Sequence, residues 1–251
     1  MYYNVALGVD LMKLVLGCIR KACQDYNLIE DGDKIAVGVS GGKDSLLLLN
    51  ALKLYKQFSR QKFEICAITV TMGLEPFDLT NISKMCDELE IEYKIVPSNL
   101  GEVLFDIRKE KSPCSLCAKM RRGLLYEAAK NMGCNKVAYA HHSDDMVETL
   151  LLSLFYEGRI NTFSPKTYLS RTDLTLIRPL IYLSESHIIK LVNKLQFPVV
   201  KNPCPIDGHT KRQYIKDLLK DIEKDIPDTR KLMLSALRNT DAYNLLDKGK
   251  V

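Results

Sequence analysis

The chain has 251 residues, 46% of them hydrophobic, with 36 Lys and Arg against 31 Asp and Glu for a formal net charge of +5. That length and apolar content can bury a full core, which excludes a disordered or fibrous polypeptide, and the mildly basic balance admits a polyanionic partner while falling short of a nucleic-acid coat protein. Uninterrupted apolar stretches of only a few residues exclude a membrane-spanning helix, and eight cysteines without a secretion signal point to reduced thiols or a metal in the cytoplasm.

Taken in chain order, Leu11, Leu14, Val15, Cys18, Ile19 and Ala22 recur at helical spacing with Lys13, Arg20 and Lys21 between them. This is an amphipathic helix rather than a signal sequence. Lys34 to Val39 is β-rich and unbroken, as a strand buried on both faces is, and Leu46 to Leu49 begins a run of good helix formers. Between them lies Ser40-Gly41-Gly42-Lys43-Asp44-Ser45. Two glycines let the backbone approach a ligand closely, so successive N–H groups can converge on phosphate oxygens at the positive end of a helix, and Lys43 adds a full charge. The stretch is not a Walker A loop, which needs four residues between its first Gly and the Gly-Lys pair and then Ser or Thr. Here three residues separate Gly38 from Gly42, and Asp44 follows Lys43. A carboxylate beside a triphosphate needs an intervening cation, so Asp44 points to Mg²⁺.

Further helices are predicted over Asp44 to Phe58, Asn81 to Leu89, Ala118 to Met132, Asp145 to Tyr156 and Ser184 to Leu195, followed by a charged helical tail from Lys211. Strands are predicted at Phe63 to Val70, Tyr93 to Val96, Lys136 to Ala140 and Thr175 to Leu180. The alternation implies an α/β fold, a doubly wound parallel sheet with right-handed crossovers and a C-terminal helical extension. The expected division is an N-terminal helix over 1–30, a main domain over 31–200 and an extension over 201–251 that carries Cys204. Ligands collect beyond the carboxyl ends of such strands, so Ser40, Thr71-Met72 and His141-His142 should share one rim, with adenine near Met72. Asn99 to Pro113 is a long polar connection, expected to be a flap.

Two clusters remain. His141-His142-Ser143-Asp144-Asp145 ends a strand and opens a helix; capping explains one acid but not two beside a phosphate site. Adjacent histidines on a strand point to opposite faces, so one of them should be packed rather than ligating. Cys114 and Cys117 form C-x-x-C, and Cys204 sits stiffly between Pro203 and Pro205. By themselves these thiols suit zinc completed by Asp207 or His209, a redox relay, or a [4Fe-4S] cluster. Cys18, Cys23, Cys66, Cys86 and Cys134 lie on helix or strand patterns and are expected to be packed free thiols. Lys119, Arg121, Arg122, Lys201, Lys211, Arg212 and Lys216 flank the cysteine segments, a basic rim suited to RNA phosphates. Arg178 is expected to support the rim instead.

Ser40 to Ser45 resembles the pyrophosphate-binding loop of the ATP pyrophosphatases, and most of the chain is similar to one branch of them, the tRNA 2-thiocytidine synthetase family. The matching stretches, in order, are Asn27 to Asp33 with the loop, Cys114 to Cys117 with Arg121-Arg122-Gly123, Ala140 to Asp145 with Glu148-Thr149, Ile177 to Leu180, and Phe197-Pro198 running to Cys204. The resemblance implies an adenine nucleotide alpha hydrolase-like fold that adenylates a pyrimidine carbonyl of tRNA with ATP and Mg²⁺ and replaces its oxygen by sulfur. It further implies catalytic roles for Lys43, Asp44 and Asp145, and nucleotide contacts from Ser40 to Ser45, Asp145 and Thr149; Met72 and His141 join the nucleotide contacts by their position on the rim. Cys114, Cys117 and Cys204 would hold a [4Fe-4S] cluster whose free iron seats a sulfide. The sulfur donor would be a cysteine desulfurase or free sulfide, and a homodimer is compatible. Many relatives carry a second C-x-x-C, whereas Cys204-Pro205-Ile206-Asp207 puts an acid at the later position, a candidate for the fourth iron. Two rival readings are a lysidine-synthetase type of pyrophosphatase with structural zinc and a non-catalytic nucleotide sensor.

Overall fold

The computed structural model describes residues 2–109, 113–206, 208 and 210–239, without the side chains of residues 2–7 and 9. The chain divides into two compact units, Met1–His142 with Ser164–Asp207, and Ser143–Phe163 with Gly208–Val251. The second unit thus draws in a helical segment from the stretch that the sequence alone assigns to a domain over 31–200.

In chain order the elements are α1 (Tyr2–Tyr26), β1 (Lys34–Gly38), α2 (Lys43–Phe58), β2 (Glu64–Val70), α3 (Thr80–Glu88), β3 (Glu92–Val96), α4 (Pro113–Asn131), β4 (Lys136–Ala138), α5 (Ser143–Glu157), β5 (Lys166–Leu169), β6 (Leu174–Ile177), α6 (Glu185–Leu195), α7 (Lys211–Asp225) and α8 (Thr229–Arg238). The first unit holds one sheet in the order β3-β2-β1-β4-β6-β5. All pairings are parallel except β5 with β6, and Val37 of β1 stands between Ala67 of β2 and Ala138 of β4. Successive strands run outward from β1 to β3 on one side and resume at β4 on the other, so the order reverses between β1 and β4. In such sheets a crevice opens at that reversal, beyond the strand carboxyl ends.

Burial accounts for these assignments. Ile35, Ala36 and Val37 of β1 are fully enclosed, and Ala36, Cys66, Ile68, Leu125, Ala129 and Val137 share one apolar cluster that joins α4 to the sheet. Leu46 to Leu49 are all buried, because α2 lies among the sheet, α1 and α6 and has little free face. At the opposite end of the strands from the glycine turn, the buried Lys136 ammonium meets Asp33 at 2.8 Å, Glu30 at 2.7 Å and the Leu28 carbonyl at 3.0 Å. This cluster ties the entry to β1 to the start of β4. Removing one partner of such a buried pair typically costs about 3–5 kcal/mol.

Three local differences from the sequence-based elements have physical causes. β5 has no unbroken apolar run; it is a half-exposed edge strand that exists through its antiparallel register with β6. β6 stops at Ile177 because Pro179 cannot donate to a ladder, and Arg178 N instead bonds the Pro165 carbonyl at 3.0 Å. α4 begins at Pro113, ahead of the expected Ala118, since proline is well suited to a helix's first position. The connection expected to be a flap contains a π-helical turn at Glu102–Ile107 and lays Leu100 and Leu104 against Met72; residues 110–112 lie outside the described ones.

The second unit is a small helical assembly whose core is Val147 and Leu151 of α5 with Ile215 and Leu219 of α7, closed by Met233 and Leu234 of α8. Thr210 caps α7 by accepting from Gln213 N at 3.2 Å. Proline at 227 separates α7 from α8.

Candidate nucleotide and cysteine site

The turn after β1 is braced from within. Ser45 Oγ donates to the Gly42 carbonyl at 2.9 Å and accepts from Ser40 N at 3.1 Å, while Gly42 N donates to Ser40 Oγ at 3.3 Å. Gly41 takes φ +84°, a left-handed conformation that side chains resist, and a Cβ there would press on Val200 Cβ at 3.3 Å while only touching Phe77 at 3.5 Å. Thr69 Oγ1 donates to the Val39 carbonyl at 2.7 Å, and Val39 N donates to Ile68 O at 2.8 Å, anchoring the turn to β2. Gly42 is the extended residue before α2, so the first N–H groups of a sixteen-residue helix start at this turn. Ser40 and Ser45 therefore shape the cradle, and the charge comes from Lys43.

Lys43 Nζ lies 3.1 Å from Asp44 Oδ2 and 2.9 Å from Glu185 Oε1 at the start of α6. Burial works against its charge, but the two carboxylates outweigh burial and its pKa is raised. Asp44 Oδ1 is buried and has no hydrogen-bond partner among the described residues; His142 Nε2 stands 3.9 Å from it. An orphaned carboxylate oxygen beside an anion cradle suits a hard cation such as Mg²⁺. The two histidines lie past the end of β4 and still part: His142 is buried, while His141 Nδ1 accepts from Arg178 Nε at 3.2 Å. Arg178 is itself buried and also donates to the Ser164 carbonyl, so it supports the rim as expected.

One cleft joins this turn to the cysteine segments. It is lined by Ser40 and Gly42 of the turn, Met72 after β2, Arg121 of α4, and Asn202 and Pro203 ahead of Cys204. Val200 N donates to the Gly41 carbonyl at 3.0 Å, which fastens the Cys204 segment to the glycine turn itself. Cys114 and Cys117 occupy the first turn of α4, three residues apart on one face. Cys117 packs against Met72, Sγ to Sδ 3.8 Å. Burial pushes the Cys117 thiol up, Arg121 pulls it down, and the charges of Cys204 and Cys114 are close enough to push it up further. Cys204 N is held by Asn202 Oδ1 at 3.2 Å.

Among the described residues no three His, Cys, Asp or Glu side chains are gathered tightly enough to hold a single metal ion. The cysteines thus share a locality without forming a one-ion cage. Three thiolate donors in one locality, near enough for Cys204 and Cys114 to act on Cys117, are a donor set that suits an iron–sulfur cluster. Asp207 and His209, the sequence-based candidates to complete either centre, lie outside the described residues. The other five cysteines are packed as expected, with Cys23, Cys66, Cys86 and Cys134 buried and Cys18 partly so.

In the second unit, α5 carries the acidic motif. Glu148 is fully enclosed and meets Arg212 at 2.9 Å and Lys216 at 3.7 Å. Burial pushes its pKa up although both cations pull it down. Arg212 also reaches Thr149 Oγ1 at 3.2 Å and Asp145 Oδ1 at 3.6 Å, and Asp144 pairs with Arg230 at 3.4 Å. Asp145 and Thr149 are therefore set by one guanidinium from α7.

A family profile described as a PP-loop domain matches residues 18–222. The tRNA-cytidine(32) 2-sulfurtransferase of Geobacter metallireducens is 37% identical over 92% of this chain and 91% of its own, and that of Geotalea daltonii is 38% identical over 95% and 96%. The chain belongs to this PP-loop family. Among solved structures, the U34-tRNA thiolase NcsA from Methanococcus maripaludis with its [4Fe-4S] cluster is similar at TM-score 0.75 and 26% identity, over 92% of this chain and 78% of that one.

Within this PP-loop protein, sequence reasoning missed Glu185 and Phe77. Glu185 could have been suspected as an acid in a helix's first turn, but nothing in sequence ties α6 to Lys43. Phe77 lines the cleft from a loop without regular pattern and gave no signal. Arg121, expected on an RNA-facing rim, lines the cleft beside Cys117.

Proposed function

We propose that this protein is an ATP-dependent tRNA 2-sulfurtransferase that adenylates the C2 carbonyl of a cytidine, position 32 by its relatives' names, and replaces the oxygen by sulfur. The observation that carries the proposal is the single cleft whose wall runs from Ser40 and Gly42 to Asn202 and Pro203, with Val200 hydrogen-bonded to Gly41. A phosphate cradle and a cysteine segment fastened together are what an enzyme needs if one substrate atom is first adenylated and then displaced.

A carbonyl oxygen is a poor leaving group. The base oxygen attacks the α-phosphorus of ATP, the α–β bridging bond breaks, and pyrophosphate leaves onto the glycine turn. The N–H groups at the start of α2 and the Lys43 ammonium face the charge that accumulates there; one such donor is worth roughly 3–4 kcal/mol in comparable sites. To reach the phosphate, Lys43 exchanges its contact with Glu185, which meanwhile keeps it charged. Asp44 Oδ1 would hold Mg²⁺ against the phosphates. Met72 closes the cleft between the turn and Cys117 and offers an apolar wall for adenine. His141, aimed by Arg178, belongs to the same rim, and Asp145 and Thr149 supply the second nucleotide motif. A [4Fe-4S] cluster held through Cys114, Cys117 and Cys204 would supply the site that binds sulfide and presents it to the activated carbon. The sulfur then forms the new C–S bond, the C–O bond to the adenylate breaks, and AMP departs.

Sulfide is supplied free or by a cysteine desulfurase, and the reaction belongs in the cytoplasm, where thiols stay reduced. No helix among the described residues is long and apolar enough to cross a membrane. A homodimer is compatible with this reading, and sedimentation of the purified protein checks it. The whole proposal is tested by incubating anaerobically purified protein with unmodified tRNA, ATP, Mg²⁺ and sulfide. Mass spectrometry of the nucleosides should show 2-thiocytidine with equal AMP and pyrophosphate; a protein that hydrolyses no ATP with tRNA and leaves every cytidine unmodified refutes it.

A further inference from the structure

The second unit carries a surface that the chemistry above does not use. Phe155 and Tyr156 at the end of α5 are 54% and 47% exposed, and Tyr214 of α7 is 59% exposed. Single exposed apolar residues are ordinary, but adjacent large ones beside a third on a neighbouring helix form a patch. Lys211 Nζ sits 4.2 Å above the Tyr156 ring. Lys211 and Tyr214 are one helical turn apart on α7, so the tyrosine of α5, the lysine and the tyrosine of α7 follow one another across the face.

The charge at this face is net positive, with Lys211 and Arg159 against Glu157. Lys211 and Arg159 take part in no ion pair among the described residues, and the single acid between Leu154 and Phe163, Glu157, is turned back to accept from Ser153 Oγ at 3.0 Å. The first turn of α7 contains no acid although the helix dipole favours one there. Arg212 next door is fully engaged by Glu148 and Thr149, which leaves Lys211 with only an aromatic ring. Thr149 and Tyr156 lie two turns apart on one side of α5, so this face runs directly on from the acidic motif.

We propose that Tyr156, Tyr214 and Lys211 form a stacking platform for unpaired bases of the RNA substrate, with Lys211 and Arg159 on the adjoining phosphates. Aromatic rings with free cations suit a single strand, whose bases expose π faces, whereas a duplex hides them. A second copy of this chain is the weaker match, because a two-fold contact through this face would set its uncompensated cations against their own copies. The inference rests on the tRNA reading above.

The test is binding of an unmodified tRNA transcript and of a fully paired RNA duplex, followed by fluorescence anisotropy at several salt concentrations. Tyr156→Ala and Tyr214→Ala should each weaken tRNA binding roughly tenfold and leave duplex binding unchanged. Tyr214→Phe keeps the ring and should bind like the parent. Lys211→Ala should reduce the salt slope for tRNA by about 0.7. These side chains are exposed, so circular dichroism should find the variants folded. Unchanged tRNA affinity in both alanine variants overturns the platform, as does a shift from dimer to monomer with unchanged affinity, which would assign the face to a second copy. If the parent protein thiolates tRNA while these variants bind it normally, only the platform falls; if the parent neither binds nor thiolates tRNA, the function proposed above falls with it.

Discussion

The glycine turn and the cysteine segments lie on one cleft yet are held in opposite ways. The turn is six consecutive residues, cross-braced by Ser40 and Ser45 and anchored through Thr69 and Ile68 to a buried strand. The cysteines come from two distant stretches; Cys114 is exposed, Cys117 leans on Met72, and Cys204 depends on Asn202 and on the Val200–Gly41 bond. Polypeptide alone preorganises the first region. The second is brought near by the fold, through contacts between segments far apart in the chain rather than within one turn.

Separating the two regions should give the largest effect at the cysteines. Cys204→Ser should abolish thiolation and most bound iron while ATP binding stays near normal, since even changes in supporting partners cost about 10–100-fold at metal sites. Iron analysis beside nucleoside mass spectrometry reads this; full thiolation in the serine variant would remove Cys204 from the centre. Asp44→Ala reverses the pattern, with iron retained and pyrophosphate release lowered on the order of 10²–10³-fold, as a coupled phosphate assay would show. Gly41→Ala attacks the link itself. The left-handed φ costs about 1–2 kcal/mol, and the new methyl crowds Val200; denaturant unfolding should register that loss, and both ATP and iron occupancy should fall together.

The smallest effect concerns pH. Lys43 has a raised pKa, so its charged form is favoured by folding; the associated stability is fully present below the ordinary lysine value of 10.5 and is lost only as pH rises through the higher folded value. Pyrophosphate release should therefore show no alkaline limb from this residue between pH 7 and 10. Glu185→Gln removes one of the two carboxylates that sustain the shift, and an alkaline limb should then move toward neutral pH.

How much was readable in advance follows the same division. The turn could be read because a buried strand, two glycines and a helix start are local patterns with local causes. The parallel sheet followed from alternation of strands and helices, because parallel crossovers leave few topologies, whereas the strand order β3-β2-β1-β4-β6-β5 came only from the fold. β5 could not be read, since an edge strand half in solvent has no apolar periodicity and owes its form to its partner. Cys114 and Cys117 were visible as a pair, but their place in the first turn of α4 was hidden behind a helix whose hydrophobic pattern starts later. Glu185, Phe77 and the role of Arg121 required contacts across long sequence separations.

Sequence alone therefore determined the fold class and the PP-loop motif, and it offered a carboxylate suited to a cation and thiols that by themselves left zinc, a redox relay and a cluster open. Tertiary structure alone decided that Val200 would bond Gly41, that Met72 would stand between the turn and Cys117, and that α5 would pack with α7 and α8. The reason is physical: residue type and short-range spacing set what a group can do, while the burial of apolar faces distributed along the whole chain sets which groups meet.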